Sequence, residues 1–258
     1  MSIYQHFRKE EHPFIDQALS WKEQVERSYV PKLTDFLDPR EQDILTSLIG
    51  TNASDVVLIF NGGGPNTERK RAIIRPYYEE MTEDMFQLTL LEAAYHQKFV
   101  SISHRDVLGA FLSLGMKRKK LGDIYISDGR IQIIVAAEIA PFVTANLNYI
   151  KRAAIHFQEQ SFSSLIAKQE KWLESVQTVS SLRLDAVIKE IYRMSRSEAQ
   201  ALIRQERVKV NFRIVDEANF LLQKGDILSV RGKGRSKIID IHGLTKKEKW
   251  RITTAILK

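Results

Sequence analysis

Apolar positions along the chain fall into blocks of different period. Phe14, Ala18, Leu19, Trp21 and Val25 recur at helical spacing and predict an amphipathic helix. A second helix is expected after the start signal Asp38-Pro39, with Ile44, Leu45 and Leu48 inward and Gly50 as its stop. From Asp55 the period changes. Val56-Val-Leu-Ile-Phe60 is a continuous apolar run of the kind a buried strand presents, and Ala72-Ile-Ile74 reads the same way. A strand near Phe86 to Tyr95 is then expected, followed by a helix near Arg105 to Leu114 closed by Gly115. Strands at Asp123 to Ile126 and Ile131 to Ala136 flank Ser127-Asp128-Gly129-Arg130, whose Asp-Gly pair is a hairpin signal. A helix from Glu138 to Leu147 and a strand from Ala153 to Phe157 complete this block.

The order β-α-β-β-α-β is the split β-α-β arrangement found in ferredoxin-like folds and RNA-recognition motifs. It speaks for a fold and not for one activity. The class implied is α+β. The divisions expected are a helical segment at 1–50, the split β-α-β domain at 51–160, a polar linker helix at 161–179 and a small separate module at 180–258.

That last module has the most telling pattern. Leu184, Val187, Ile188 and Ile191 stand at i, i+3, i+4 and i+7 of one helix. Ser195-Arg196-Ser197-Glu198 opens the next as a capping box, with Ser195 accepting from an amide three residues on and Glu198 reaching back. Arg196, Gln200 and Arg204 are four apart and line one face, and Arg196 sits in the first turn, where helix amides already favour a phosphate. In Val208-Lys-Val-Asn-Phe212 alternation turns Val208 and Val210 inward and Lys209 and Asn211 outward. Lys224-Gly225-Asp226 turns into a strand at Ile227 to Val230, which ends in Arg231-Gly232-Lys233-Gly234-Arg235-Ser236-Lys237. Alternating glycine and basic residues let a backbone approach phosphates closely.

Charge sharpens this picture. The chain of 258 residues has a formal net charge of +7, with 39 Lys and Arg against 32 Asp and Glu. From Ser181 onward 18 basic residues face 9 acidic ones, which leaves 21 against 23 in the rest. A basic module on a near-neutral body points to a polyanion, either nucleic acid or an anionic membrane surface. Cysteine is absent, which excludes disulfides, thiolate metal sites and cysteine nucleophiles. The first residues are too polar for a signal peptide and no stretch is apolar enough to cross a bilayer, so a cytoplasmic, soluble protein is expected.

Arg183-Leu184-Asp185, Ser195-Arg196-Ser197-x-Ala199, Leu202-Ile203, Val208-x-Val210-Asn211, Gly225-Asp226-Ile227 and Arg231-Gly232-x-Gly234-Arg235 together resemble the S-four RNA-binding domain, also called the alpha-L motif. The resemblance implies an RNA-binding face made by the second helix and the following strand. It points to Arg183, Ser195, Arg196, Ser197, Gln200, Arg204, Lys209, Asn211 and Arg235, to which spacing and charge add Arg207, Arg231 and Lys233. Two positions depart from the family pattern: Glu206 and Phe212 stand where glycine is usual. The whole chain, with Ile3-Tyr4-Gln5-His6-Phe7 and the segment Lys32 to Glu41, resembles the YlmH proteins of Gram-positive bacteria, whose genes lie near cell-division genes. That resemblance implies binding to ribosomal RNA and tRNA on the large ribosomal subunit, and a role in rescuing stalled subunits that carry unfinished chains.

Other chemistry finds little support. Asn61-Gly62-Gly63-Gly64-Pro65 lacks the endings of phosphate and dinucleotide loops. His104-Arg105-Asp106 lacks the other parts of a kinase, and the six histidines show no metal-ligand spacing. No cofactor, metal or small-molecule substrate is implied. Lys117-Arg118-Lys119-Lys120 is either a second RNA site or a solvated loop. The competing readings are an RNA-modifying enzyme of pseudouridine-synthase type, whose catalytic segment is missing, and a division factor held on anionic lipid, which would need an apolar anchor.

Overall fold

The computed structural model describes residues 3–50, 56–166 and 171–257, which form two compact units, 1–168 and 169–258.

The first unit starts with α1 (His12–Ser28) and, after β1 (Lys32–Leu33), α2 (Pro39–Ile49). Asp38 caps α2 in a closed box: its carboxylate accepts from the Glu41 amide at 2.9 Å while Glu41 accepts from the Asp38 amide at 2.7 Å. Ile15, Ala18 and Val25 of α1 and Ile44, Leu45, Leu48 and Ile49 of α2 are buried against β2 (Val56–Asn61) and β3 (Arg71–Pro76). β3 lies between β1 and β2 in an antiparallel three-stranded sheet. The two strands at the head of the expected 51–160 block therefore pack with the N-terminal helices.

The split β-α-β block follows. It consists of β4 (Leu88–Ala94), α3 (His104–Ser113), β5 (Leu121–Ser127), β6 (Arg130–Ala136), α4 (Ala140–Asn146), a small hairpin of β7 (Tyr149–Ile150) and β8 (Ala153–Ala154), and β9 (Gln158–Gln160). The sheet order β5-β6-β4-β9 places one antiparallel strand inside each crossover, as the split arrangement requires. Asp128 and Gly129 turn the β5–β6 hairpin with φ of 50° and 75°, the left-handed pair a two-residue turn needs. Pleating sorts the side chains. Leu91, Ala93, Ile131, Ile133 and Val135 pack under Val107 and Phe111 of α3 and Val143 of α4, whereas Leu90, Tyr125, Ile134 and Ala136 face the other way. The closing strand lies beyond its expected position. Ile155 and Phe157 enter the helix-side core, and the chain pairs with β4 only from Gln158. A Gln-Glu-Gln strand is compatible with an edge that faces water on both sides.

The second unit contains β10 (Trp172–Val179), α5 (Leu184–Tyr192), α6 (Arg196–Arg204), β11 (Val208–Val210), β12 (Arg213–Ile214), β13 (Ile227–Val230), β14 (Gly234–Leu244) and β15 (Trp250–Leu257). The six strands form one antiparallel sheet in the order β10-β15-β14-β13-β11-β12. Leu184, Val187, Ile188 and Ile191 of α5 join Ala199 and Ile203 of α6 over Val208, Val210, Leu228, Val230, Ile238 and Ile252.

Two sequence expectations fail here. Of the linker helix expected at 161–179, residues 167–170 lie outside the described residues, and the rest is a short 3-10 turn at Phe162–Ser164 and the strand β10. All eight residues of β10 pair with β15, and its β-branched Val176, Thr178 and Val179 suit that ladder. The basic run after Val230 is not a free loop either. Residues Gly234 to Lys237 are strand, paired with Val230 to Ile227, so their backbone is committed to the sheet and only Arg231-Gly232-Lys233 forms the turn.

Candidate nucleic-acid interface

The N-terminal ends of α5 and α6 meet around one carboxylate. Asp185 lies in the first turn of α5 and its side chain is 0% exposed. Arg183 grips it with Nε and Nη2 at 3.1 and 3.3 Å; Arg196 donates from Nε at 3.1 Å and Gln200 from Nε2 at 3.0 Å. Burial alone would push this carboxyl upward, but the hydrogen bonds from Gln200, Arg196 and Arg183 outweigh it and hold Asp185 below the ordinary carboxylate range. The helix N-terminus favours the same charged form.

A guanidinium carries five donors, and Asp185 takes two from Arg183 and one from Arg196. Both side chains stay accessible, at 37% and 57%. One buried anion thus holds two arginines and a glutamine at the surface in fixed orientations, with donors to spare and a net positive charge. Such a cluster can bind phosphate by charge-assisted, bidentate contacts while Gln200 reads polar groups. Arg204 continues the stripe at the end of α6, and Lys209 is exposed on β11 beyond it. Arg207 and Arg231 are exposed and adjacent in the backbone, with the Arg231 amide donating to the Arg207 carbonyl at 2.9 Å.

Other expected site residues have structural work. Ser195 caps α6, accepting from the Glu198 amide at 3.1 Å, and shares a 3.0 Å hydroxyl contact with Ser197. Only this half of the capping box forms, because Glu198 turns to Lys233 at 3.6 Å. Asn211 donates to Asp226 at 2.8 Å and accepts from the Ile227 amide at 2.9 Å, so its side chain ties down a turn rather than projecting toward a ligand. Asn211 and Phe212 turn between β11 and β12 with φ of 48° and 67°, and Glu206 has φ of 56°. Both departures from glycine therefore keep the left-handed backbone that glycine would supply. The Arg235 guanidinium sits 5.7 Å from the centre of the Phe212 ring.

The run Lys117-Arg118-Lys119-Lys120 is built into the first unit. Lys119 pairs with Asp35 at 2.7 Å, while Lys120 reaches both Asp35 and Glu138, the latter at 2.7 Å. Arg118 turns inward to the carbonyls of Leu121 and Gly122, and burial, with the nearby Arg69 charge, lowers it to about 10. Lys117 is exposed.

Sequence reasoning missed Asp185 as the organiser. The available signal was a carboxylate beside the apolar stripe of α5, two residues after an arginine and one helix before a second, cationic one. It also missed Tyr192, whose hydroxyl meets the Gly234 carbonyl and the buried Ser236 hydroxyl, each at 3.1 Å. Among the described residues no cluster of His, Asp or Glu is arranged to hold a metal ion, and no helix is long and apolar enough to cross a membrane.

Both units resemble known proteins. Residues 182–228 match the S4 domain, and residues 81–164 match the family described as "Putative RNA-binding domain in YlmH". The Bacillus subtilis (strain 168) protein named "Ribosome-associated protein quality control protein P2" is 47% identical over 251 residues, covering 97% of each chain. A solved structure titled "Cell division protein ylmH from Streptococcus pneumoniae" aligns with a TM-score of 0.55 at 30% identity, over 64% of this chain and 100% of that one. With an S4 domain that places cations around Asp185 and a relative this similar along nearly its whole length, the chain belongs to the YlmH family.

Proposed function

We propose that the protein is a non-catalytic RNA-binding factor that recognises structured ribosomal RNA and tRNA on the large ribosomal subunit and acts in quality control of stalled chains. The observation that carries the reading is the Asp185 cluster, in which a buried carboxylate presents Arg183, Arg196 and Gln200 from two helices, with Arg204 and Lys209 extending the surface. A preformed, rigid cationic face loses little conformational entropy on meeting an RNA backbone. The relative named for ribosome-associated quality control supports the choice of partner.

The test is filter binding of the full chain to purified large subunits and to tRNA across a salt series. The wild type should bind with a steep salt slope. Arg196→Ala/Arg204→Ala should weaken binding at least about tenfold and flatten the slope by about 0.7–0.9 per lost phosphate contact. Wild-type affinity in that variant would remove α6 from the interface. Equal retention of the wild type on anionic lipid vesicles would remove RNA as the preferred partner.

A further inference from the structure

RNA-recognition motifs commonly bind single strands by stacking bases on aromatic residues of an open sheet face. In the first unit that face is closed. Gln132 in the middle of β6 is fully buried; its amide donates to the Ser164 carbonyl at 2.9 Å, and its oxygen accepts from the Ile166 amide at 2.6 Å. The segment 162–166 is thereby held across the strands, with Phe162, Leu165 and Ile166 packed on Leu90, Tyr125 and Ile134. Phe36 covers the other side, so close to Gly122 that a Cβ there would lie 2.7 Å from its ring. Asp123 is buried and accepts from the amides of Glu68 and Arg69 at 2.7 and 3.0 Å, which fastens a further loop beside it. A base could stack on the covered strands of this face only by displacing these contacts.

Two exposed aromatic rings belong instead to segments that adjoin α3. Phe99, in the loop between β4 and α3, is 83% exposed, and Tyr149, in β7, is 66% exposed. The two segments are pinned together. Lys151, in the turn of the β7–β8 hairpin, donates to the Ser101 carbonyl at 2.9 Å and pairs with Asp106 of α3 at 2.7 Å. Phe99 and Tyr149 each stand two residues from this pin, within about 7 Å of backbone. Lys98, Arg105 and Arg152 are exposed around them, while the carboxylate of Asp106 is engaged by Lys151 and Ser103. Large rings in water beside surplus positive charge are costly to leave bare and complementary to a ligand with flat faces and phosphates.

We propose that this surface, centred on Phe99 and Tyr149 and bordered by Lys98, Arg105 and Arg152, binds unpaired nucleotides of RNA by stacking, and that the sheet face of the split β-α-β domain binds none. It is a second RNA site, distinct from the Asp185 cluster, and suited to unpaired rather than helical RNA because only splayed bases can stack on it.

The experiment uses the full chain and two labelled probes, a 12-nucleotide oligouridylate and an RNA stem-loop closed by a tight tetraloop whose bases stack on one another. Phe99→Ala/Tyr149→Ala removes two exposed rings, so far-UV dichroism and melting temperature should match the wild type. Its affinity for oligouridylate should fall about tenfold or more, with stem-loop affinity held within about twofold. Arg196→Ala/Arg204→Ala should show the reverse pattern, so failure of either site is read separately. Arg105→Glu/Arg152→Glu keeps both rings and should also weaken oligouridylate binding, with a flatter salt dependence. Wild-type oligouridylate affinity in the aromatic variant overturns the proposal, even if that variant loses contacts with ribosomal proteins. A loss shared equally by both probes overturns it too.

Discussion

Two basic regions of this chain behave differently in space. Lys117 to Lys120 offers four adjacent cations, yet Asp35 and Glu138 take up Lys119 and Lys120, and Arg118 is drawn inside to backbone carbonyls. Arg183, Arg196 and Arg204 are scattered over 22 positions, yet a single buried carboxylate gathers the first two and leaves donors facing water. What separates them is the number and burial of the acidic partners. Partners that neutralise each cation make a structural joint, whereas one fully desolvated anion shared among several donors makes a binding surface.

The change expected to disturb this contrast most is Asp185→Asn. It removes the buried anion shared by two partly exposed guanidinium groups, which should cost about 1–2 kcal/mol of stability, read by urea denaturation. RNA affinity should fall together with stability, beyond what Arg196→Ala/Arg204→Ala produces. Acid titration gives a second reading of the same cluster. Because Asp185 is held below the ordinary carboxylate value in the fold, its contribution is complete above about pH 4 and is lost as pH falls through the folded-state value. The Asn variant should lack that acid limb. A variant with undiminished stability and an unchanged acid limb would mean that Asp185 organises nothing.

Lys119→Ala/Lys120→Ala probes the other side of the comparison. It should reduce stability by about 1 kcal/mol or less, since these pairs are partly exposed, and leave affinity for large subunits within about twofold. A tenfold loss of RNA binding with normal melting would make that run a ligand site after all. The smallest effect is expected from Glu206→Gly. Relieving a left-handed non-glycine residue, offset by the greater freedom of glycine in the unfolded chain, should raise stability by about 0.5 kcal/mol, seen as a slightly higher denaturation midpoint.

Legibility in the sequence followed the range of the interactions. α6 could be read because its cap and its i, i+4 spacing are local, and the Asp128-Gly129 hairpin was likewise encoded by adjacent residues. The failures involve distant partners. β10 read as helical because Lys171-Trp172-Leu173-Glu174 fits a helix and its partner lies at the other end of the unit. Glu198 left its capping box for Lys233, thirty-five positions on. Asn211 alternated outward as expected but was claimed by Asp226. The buried state of Asp185 depends on donors from two helices and could not be inferred from the triplet that contains it.

The pairing of β10 with β15 has a consequence for how the second unit is made. Val179 faces Trp250 and Trp172 faces Leu257, so the strand that opens the unit has no partner until the strand that closes it has been synthesised. Helices α5 and α6 and the short β11–β13 ladder can assemble earlier, since their contacts are local in sequence. During translation the RNA-binding face can therefore be in place while half of its supporting sheet is still missing, and a fragment cut after Lys233, just before β14 begins, would halt the molecule at that stage.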